Sequence, residues 1–336
     1  LAREFVLLDN FYVDAEVSAD GHNWSMAAYA TDYVEKTWPT QYGGRGGRYD
    51  FEGENKLANP SSGYLWDLCR NKKVTYRSFG EYVINGKTDK DSTKAAVEGL
   101  VSHVAPFFRG WDMNYSDIDR AKAWMKEFDE AEATGKLERL QIIRLPNDHT
   151  SGTRAGSLTP RAFVAQNDLA LGMIVERISK SKFWKESAIF VLEDDAQNGP
   201  DHVDAHRSIA LVISQYTKRN FVDHTMYSTS SMLRTMELIL GLPPMTQYDA
   251  SATPMCNSFT SKPDFTPYQL REALADLEEK NIAGAYGSER SEEMNLAEGD
   301  AVPDVEFNEI VWKAIKGAAS EMPAPVRSAF VREIGR

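Results

Sequence analysis

Cysteine is nearly missing. Two residues, Cys69 and Cys256, serve a chain of 336, and neither has a second Cys within a few positions. That spacing excludes a thiolate metal cage and a dense disulfide framework. The pair is read either as two free thiols or as one long-range bridge, which requires an oxidising compartment. Long apolar runs are also absent: nothing approaches the roughly 18 residues that a helical membrane span needs, so no transmembrane helix is expected. Basic charge is in short supply, with 38 Lys and Arg against 50 Asp and Glu and a formal net charge of -12. A broad grip on a polyanion is therefore not expected, and neither is a nucleic-acid partner. Any anionic group must be met locally, by a metal, an Arg or a helix N-terminus. There is no internal repeat, no low-complexity tract and no initiating Met, since the chain opens with Leu1. It is expected to begin inside a longer gene product, which leaves a leader segment outside the reach of the sequence.

A hydrophobic content of 42% over 336 residues is ample for a large core. A recurring order, in which an apolar strand leads to a polar cluster and then an amphipathic helix, predicts an α/β fold with a mainly parallel sheet covered on both faces. The first unit runs from Phe5–Leu8 to a helix that starts near Asn23 or Trp24 and ends before Pro39. A second runs from Leu140–Ile143 through Pro146-Asn147-Asp148-His149 to a helix capped by Thr159 and opened by Pro160. A third strand is Ala188–Leu192, and a fourth, Ile209–Ile213, precedes a helix from about Ser228 to Leu240 that stops before Pro243. Residues of about 41–115 interrupt the pattern with Gly43-Gly44-Arg45-Gly46-Gly47-Arg48 and a charged stretch, and are read as an insertion over the site with one short strand at Val74–Ser78. The Gly-rich run lacks the Lys-Ser/Thr of a P-loop and is expected to be a flexible loop. The domain proper is placed at 1–260. Residues 261–336 are expected to form a helical tail packed on the same domain, with helices near Gln269–Lys280 and Phe307–Lys316.

Chemistry concentrates directly after the third strand. From Glu193 to Arg207 the chain holds five acids and two histidines, with Gly199-Pro200 as a turn among them. Ligands of open α/β sheets gather beyond the carboxyl ends of strands. Adjacent acids emerging there repel one another and lose hydration, so they need protons or a cation. Carboxylate and imidazole donors suit Zn, Mn or Fe over a thiolate-seeking ion.

The stretch Asp194-Asp195, then Gly199, then Asp201-His202 resembles the pattern of the bacterial phosphoesterase family of phospholipases C and certain acid phosphatases, a branch of the alkaline phosphatase superfamily. Asp201 stands seven residues after Asp194, as in that pattern, and the likeness continues through His206-Arg207 to Met232–Leu242. It is greatest to members in which the domain follows a β-propeller on the same gene. The resemblance implies an alkaline-phosphatase-like three-layer α/β/α sandwich, a phosphate ester substrate, and a divalent cation (Zn, Mn, Fe or Ca) bound by Asp194 and Asp195. Asp148, His149 and His206 are the implied further ligands. It makes Ser18 the nucleophile at a strand-to-helix turn, with Asn23 and His202 beside the phosphoryl group and His22 and Arg207 as substrate contacts. It also implies export, to the periplasm or beyond the cell. The family's Glu-Asn pair ahead of the nucleophile has no counterpart before Ser18. The alternative is a binding module that keeps the fold without catalysis.

Overall fold

The computed structural model describes residues 1–47, 49–50, 52–196 and 204–324. The chain enters through β1 (Val6–Leu8) and β2 (Phe11–Tyr12), then α1 (Ser18–Ala27) and α2 (Asp32–Gln41). There follow α3 (Leu65–Asn71), β3 (Tyr76–Phe79), the short hairpin of β4 (Val83–Ile84) and β5 (Lys94–Ala95), and the long α4 (Asp117–Thr134). Next come β6 (Leu140–Ile143), α5 (Pro160–Ser179), β7 (Ala188–Leu192), β8 (Ala210–Ser214), β9 (Phe221–Asp223) and β10 (Tyr227–Ser228). The last elements are α6 (Thr229–Leu240), α7 (Gln247–Ser251), α8 (Ser288–Glu293) and α9 (Asp304–Lys316).

Alternation along the strands builds three layers. Val6 and Leu8 of β1 and Val212 of β8 pack towards Met232 of α6, while Phe5 and the intervening Leu211 and Ile213 pack towards Val175 of α5 and Trp184. Likewise Leu140 and Ile142 of β6 meet Met26, Trp66 and Leu233 on the first face, and Ile143 meets Trp124, Phe128 and Ile174 on the second. Helices therefore cover both faces, the α/β/α arrangement. The four-stranded sheet has the order β7-β8-β1-β9, with β8 antiparallel to both neighbours and β1 parallel to β9. The sheet is thus mixed, not mainly parallel. The physical reason is the connection from β7 to β8, which carries no crossover helix among the described residues, and neighbouring strands joined without a crossover run antiparallel. β3 and β6 pair in parallel beside it.

Three expected helices differ. The single helix before Pro39 is two: Ala28 turns into the left-handed region (φ 58), Thr31 caps the second with its side chain accepting from Val34 N–H, and Pro39 sits inside the last turn of α2. Residues 269–280 form no helix. That segment runs as extended tail, with Lys280 bridging Leu158 and the Glu279 carbonyl accepting from Thr159 N–H. The final helix begins at Asp304, ahead of Phe307. The segment 41–115 does more than cover the site, since β3 is the parallel partner of β6 and Trp66 and Tyr82 are fully buried.

Candidate active site

Five chain segments deliver side chains to the region where β3, β6 and β7 end and α1 begins. Ser18 is the first residue of α1, after extended Val17 (φ -146). The turn is held by Asp20, whose carboxylate accepts the N–H groups of Glu16 (3.0 Å) and Val17 (2.9 Å). Burial drives the Asp20 carboxyl up to about 7 against the pull of those amides. Ser18 is wholly buried, and its Oγ–H donates to Asp195 Oδ2 at 2.6 Å. One turn on, Gly21 leaves room for the strand end. A Cβ there would lie 2.5 Å from the Asp194 carbonyl oxygen, so α1 and the Asp194 backbone touch because residue 21 has no side chain.

His22 follows on the same face. Its Nδ1 is 2.7 Å from Glu81 Oε1, while its Nε2 is 3.5 Å from Asp194 Oδ2 and 3.9 Å from Glu52 Oε1. Glu52 also pairs with Arg144. Among the described residues, one imidazole nitrogen of His22 and one oxygen each of Glu52 and Glu81 lie within 4.8 Å of one another, and all three residues are buried. An imidazole with two hard carboxylates is a donor set that Zn, Mn or Fe accepts, so the residues present fit a divalent cation.

A cavity of about 200 Å³ opens between β6 and β7, lined by His22, Glu81, Arg144, Asp148, His149 and Asp194 among others. Its electrostatics are those of crowded acids. Burial raises the Asp148 carboxyl, with His149 opposing and Asp194 adding to the shift. The Asp148 charge and then burial hold Glu193 well above the usual carboxylate range. Burial also works against the Asp194 anion, but His22, Arg144 and His149 outweigh it and the carboxyl titrates below its ordinary value. Burial works against protonated His22, which Glu81 and Asp194 nevertheless hold above its usual range. Arg144, lying over the Trp111 ring at 5.7 Å, is lowered to about 10 by burial against the surrounding acids. The turn carrying Asp148 and His149 is braced from beneath by buried Arg120, which donates to Asn147 Oδ1 (2.7 Å) and Asp117 Oδ1 (2.9 Å). His149 meets Trp111 edge to face at 4.7 Å.

The sequence-derived candidates thus divide. Ser18 meets Asp195, His22 meets Asp194, and Asp148, His149 and Asp194 line one cavity. Asn23 points elsewhere: its Nδ2 donates to the Ala19 carbonyl at 2.8 Å, and its Oδ1 faces Tyr64 Oη at 3.4 Å. His206 faces Glu16 (3.6 Å) and Asp204 (3.7 Å), and Arg207 donates to the Asp9 carbonyl, so neither lines the cavity. His202 lies outside the described residues. Among the described residues, the imidazole–carboxylate group that converges is His22, Glu52 and Glu81; of the cation ligands that the resemblance implies, Asp148, His149 and Asp194 line the adjoining cavity and Asp195 accepts from Ser18, while His206 does not join them. Glu81 carried a usable signal, because it follows Gly80 at the carboxyl end of a strand the sequence does predict. Glu52, in a Gly-rich loop, carried none.

The Phosphoesterase family model matches residues 1–243, well over half of the chain. The chain belongs to the phosphoesterase family. A comparison with curated proteins gives no match. Among solved structures, this phosphoesterase-family chain is similar to a protein of the alkaline phosphatase superfamily from Vibrio parahaemolyticus, at 16% identity and a TM-score of 0.47. The match covers 73% of this chain and 60% of that one, so the chain spans less than two thirds of that protein's length. Within the family match lie Ser18, His22, Glu52, Glu81, Asp194 and Asp195; the tail from 244 onwards lies beyond it.

Proposed function

We propose that this phosphoesterase-family chain is a metal-dependent phosphoric ester hydrolase in which Ser18 attacks phosphorus and carries the phosphoryl group covalently. The observation that supports this most directly is the 2.6 Å hydrogen bond from Ser18 Oγ–H to Asp195 Oδ2 at the first turn of α1. A hydroxyl is a weak nucleophile until a base takes its proton, and Asp195 stands in hydrogen-bond reach to receive it. As the Oγ–P bond forms the ester P–O bond breaks, and the departing oxygen takes a proton from solvent. Water then attacks phosphorus and loses a proton to solvent, the P–Oγ bond breaks, and Asp195 returns its proton to Ser18. His22, Glu52 and Glu81 are the residues that would hold the cation, with Asp194 close to His22. A bound divalent cation supplies positive charge for the phosphoryl oxygens and favours the ionised hydroxyl. On the strength of the resemblance at 194–242 alone, we place the chain after a β-propeller in an exported protein; subcellular fractionation and the mass of the native product test that placement.

The test of the chemistry is Ser18→Ala. Turnover of p-nitrophenyl phosphate and bis-p-nitrophenyl phosphate is expected to fall by at least about 100-fold, and the covalent phosphoryl adduct detected by mass spectrometry to disappear, while metal content stays at the wild-type level. Near-normal turnover in this variant would remove Ser18 from the mechanism. A wild-type protein with neither metal nor turnover would point instead to a non-catalytic binding module.

A further inference from the structure

The first amide of α1 is already occupied by an acid from the far end of the chain. Ser18 N–H donates to Asp300 Oδ2 at 3.0 Å, across 282 residues of sequence. Tyr49 O–H donates to the same oxygen at 2.7 Å, and Tyr49 Oη in turn accepts from Ala19 N–H at 2.9 Å. The acid is fixed from its backbone too. Gly43 N–H donates to the Asp300 carbonyl at 2.9 Å, and Asp300 sits in the left-handed region (φ 54), which Asp tolerates better than most residues. It is 7% exposed. The result is a fixed carboxylate where the helix N-terminus would otherwise meet an anionic oxygen, beside the hydroxyl assigned to the attack.

A phosphomonoester at neutral pH carries two charges over three non-bridging oxygens; a diester carries one charge over two. The third oxygen of a monoester needs a donor near Ser18, and here the Ser18 and Ala19 amides are spent on Asp300 and Tyr49. The one permanent cation among the described residues lining the cavity, Arg144, is paired with Glu52. An added negative charge next to Asp300 is repelled, and at separations of about 4–6 Å this outweighs thermal energy several-fold.

We infer that Asp300, held by Tyr49 on the Ser18 amide, is a specificity-determining residue that admits phosphodiesters and disfavours phosphomonoester dianions. The inference rests on the hydrolase reading above, and the experiment separates the two. Steady-state constants for bis-p-nitrophenyl phosphate and p-nitrophenyl phosphate are measured on the metal-loaded protein and on Asp300→Asn, which keeps an acceptor for Ser18 N–H but removes the charge. Inorganic phosphate binding is titrated calorimetrically on both. The wild type is expected to show the higher kcat/KM on the diester. Asp300→Asn is expected to shift the diester-to-monoester ratio about tenfold towards the monoester, through KM for the monoester, and to bind phosphate tighter by a similar factor. Tyr49→Phe, which frees the carboxylate from one of its two donors, is expected to move both readouts in the same direction by less, and it decides the matter if Asp300→Asn does not fold. An unchanged ratio, a wild-type preference for the monoester, or phosphate binding that stays the same or weakens in these variants would overturn the inference. If the wild type hydrolyses neither ester, the hydrolase reading fails, and the phosphate titration still judges whether Asp300 guards an anion seat.

Discussion

Gly21→Ala separates the stability of α1 from the geometry of the site. In an ordinary helix interior Ala is favoured over Gly by about 1 kcal/mol, so the substitution would stabilise if nothing faced residue 21. Here the new Cβ meets the Asp194 carbonyl oxygen at 2.5 Å and its carbon at 2.8 Å, with Oδ2 at 3.1 Å. Two of those three atoms are backbone and cannot rotate away, so strand end and helix must part by roughly 0.7 Å or more to restore ordinary contact. Overpacking of that kind costs about 1–3 kcal/mol, which leaves a net loss of roughly 0–2 kcal/mol after the helix gain. The larger effect falls on Asp194 and its neighbour Asp195, whose 2.6 Å contact with Ser18 Oγ has little tolerance for such a shift. Misplacement near 1 Å lowers catalysis about 100-fold. The assay pairs urea unfolding with ester turnover: a nearly unchanged midpoint and a turnover loss of about two orders of magnitude are expected. Full turnover, or a stability gain near 1 kcal/mol, would refute the packing of Asp194 against α1 from which the magnitude is worked.

Arg120→Met leaves buried Asp117 without its cation and Asn147 without its donor; a loss of about 3–5 kcal/mol in urea unfolding is expected, whereas Lys122→Met on the exposed side of α4 should stay within about 0.5 kcal/mol. Stability should also fall with rising pH through Glu237, whose carboxyl is raised from 4.5 to about 8 by burial and then by its hydrogen bond to Asp249. Because the folded value lies above the unfolded one, the contribution is complete below pH 4.5 and lost as pH rises through about 8. Asp249, whose carboxyl the same contact lowers against the upward push of burial, offsets part of this; the expected result is an unfolding midpoint that declines from about pH 5 to 9 and flattens in Glu237→Gln.

What the sequence disclosed follows local rules. Thr159-Pro160 marks the start of α5 because a hydroxyl cap and a missing N–H each suit a helix N-terminus, and Thr159 Oγ1 does accept from Ala162 N–H. The strands at 140–143 and 188–192 were legible as apolar runs, and their polar sequels put Asp148 and Asp194 at the strand ends where the cavity lies. What failed was set by tertiary context. Pro39 reads as a helix stop, yet α2 continues to Gln41 without the i→i−4 bond that its missing N–H would have made. The amphipathic segment 269–280 lost its helix to docking, with the Leu277 carbonyl accepting from Gln166 Nε2 and Lys280 bridging Leu158.

The site itself was half visible for a related reason. Strand-end acids announce themselves because adjacent charges after an apolar run are costly without a purpose, but a candidate ligand set assembled from separate loops leaves no spacing to read. Glu52 sits in a stretch whose glycines suggest only a loop, Glu81 is legible only as a lone acid after a short strand, and Asp300 sits in an acidic tail. Gly43 and Gly44, read as a flexible turn, instead receive that tail: Gly43 N–H holds the Asp300 carbonyl, and a Cβ on Gly44 would stand 3.1 Å from the Ala301 carbonyl. At Gly43 and Gly44 the loop is therefore packed against the tail, and these two glycines are needed because another backbone lies against them. By the same geometry Asp300 reaches the α1 amide only while residues 299–302 stay seated on that loop. The charge on the Ser18 amide is consequently set by a segment outside residues 1–243, the part that matches the family model, so under the proposed mechanism a chain of this family with a different tail would present a different charge to the phosphoryl group.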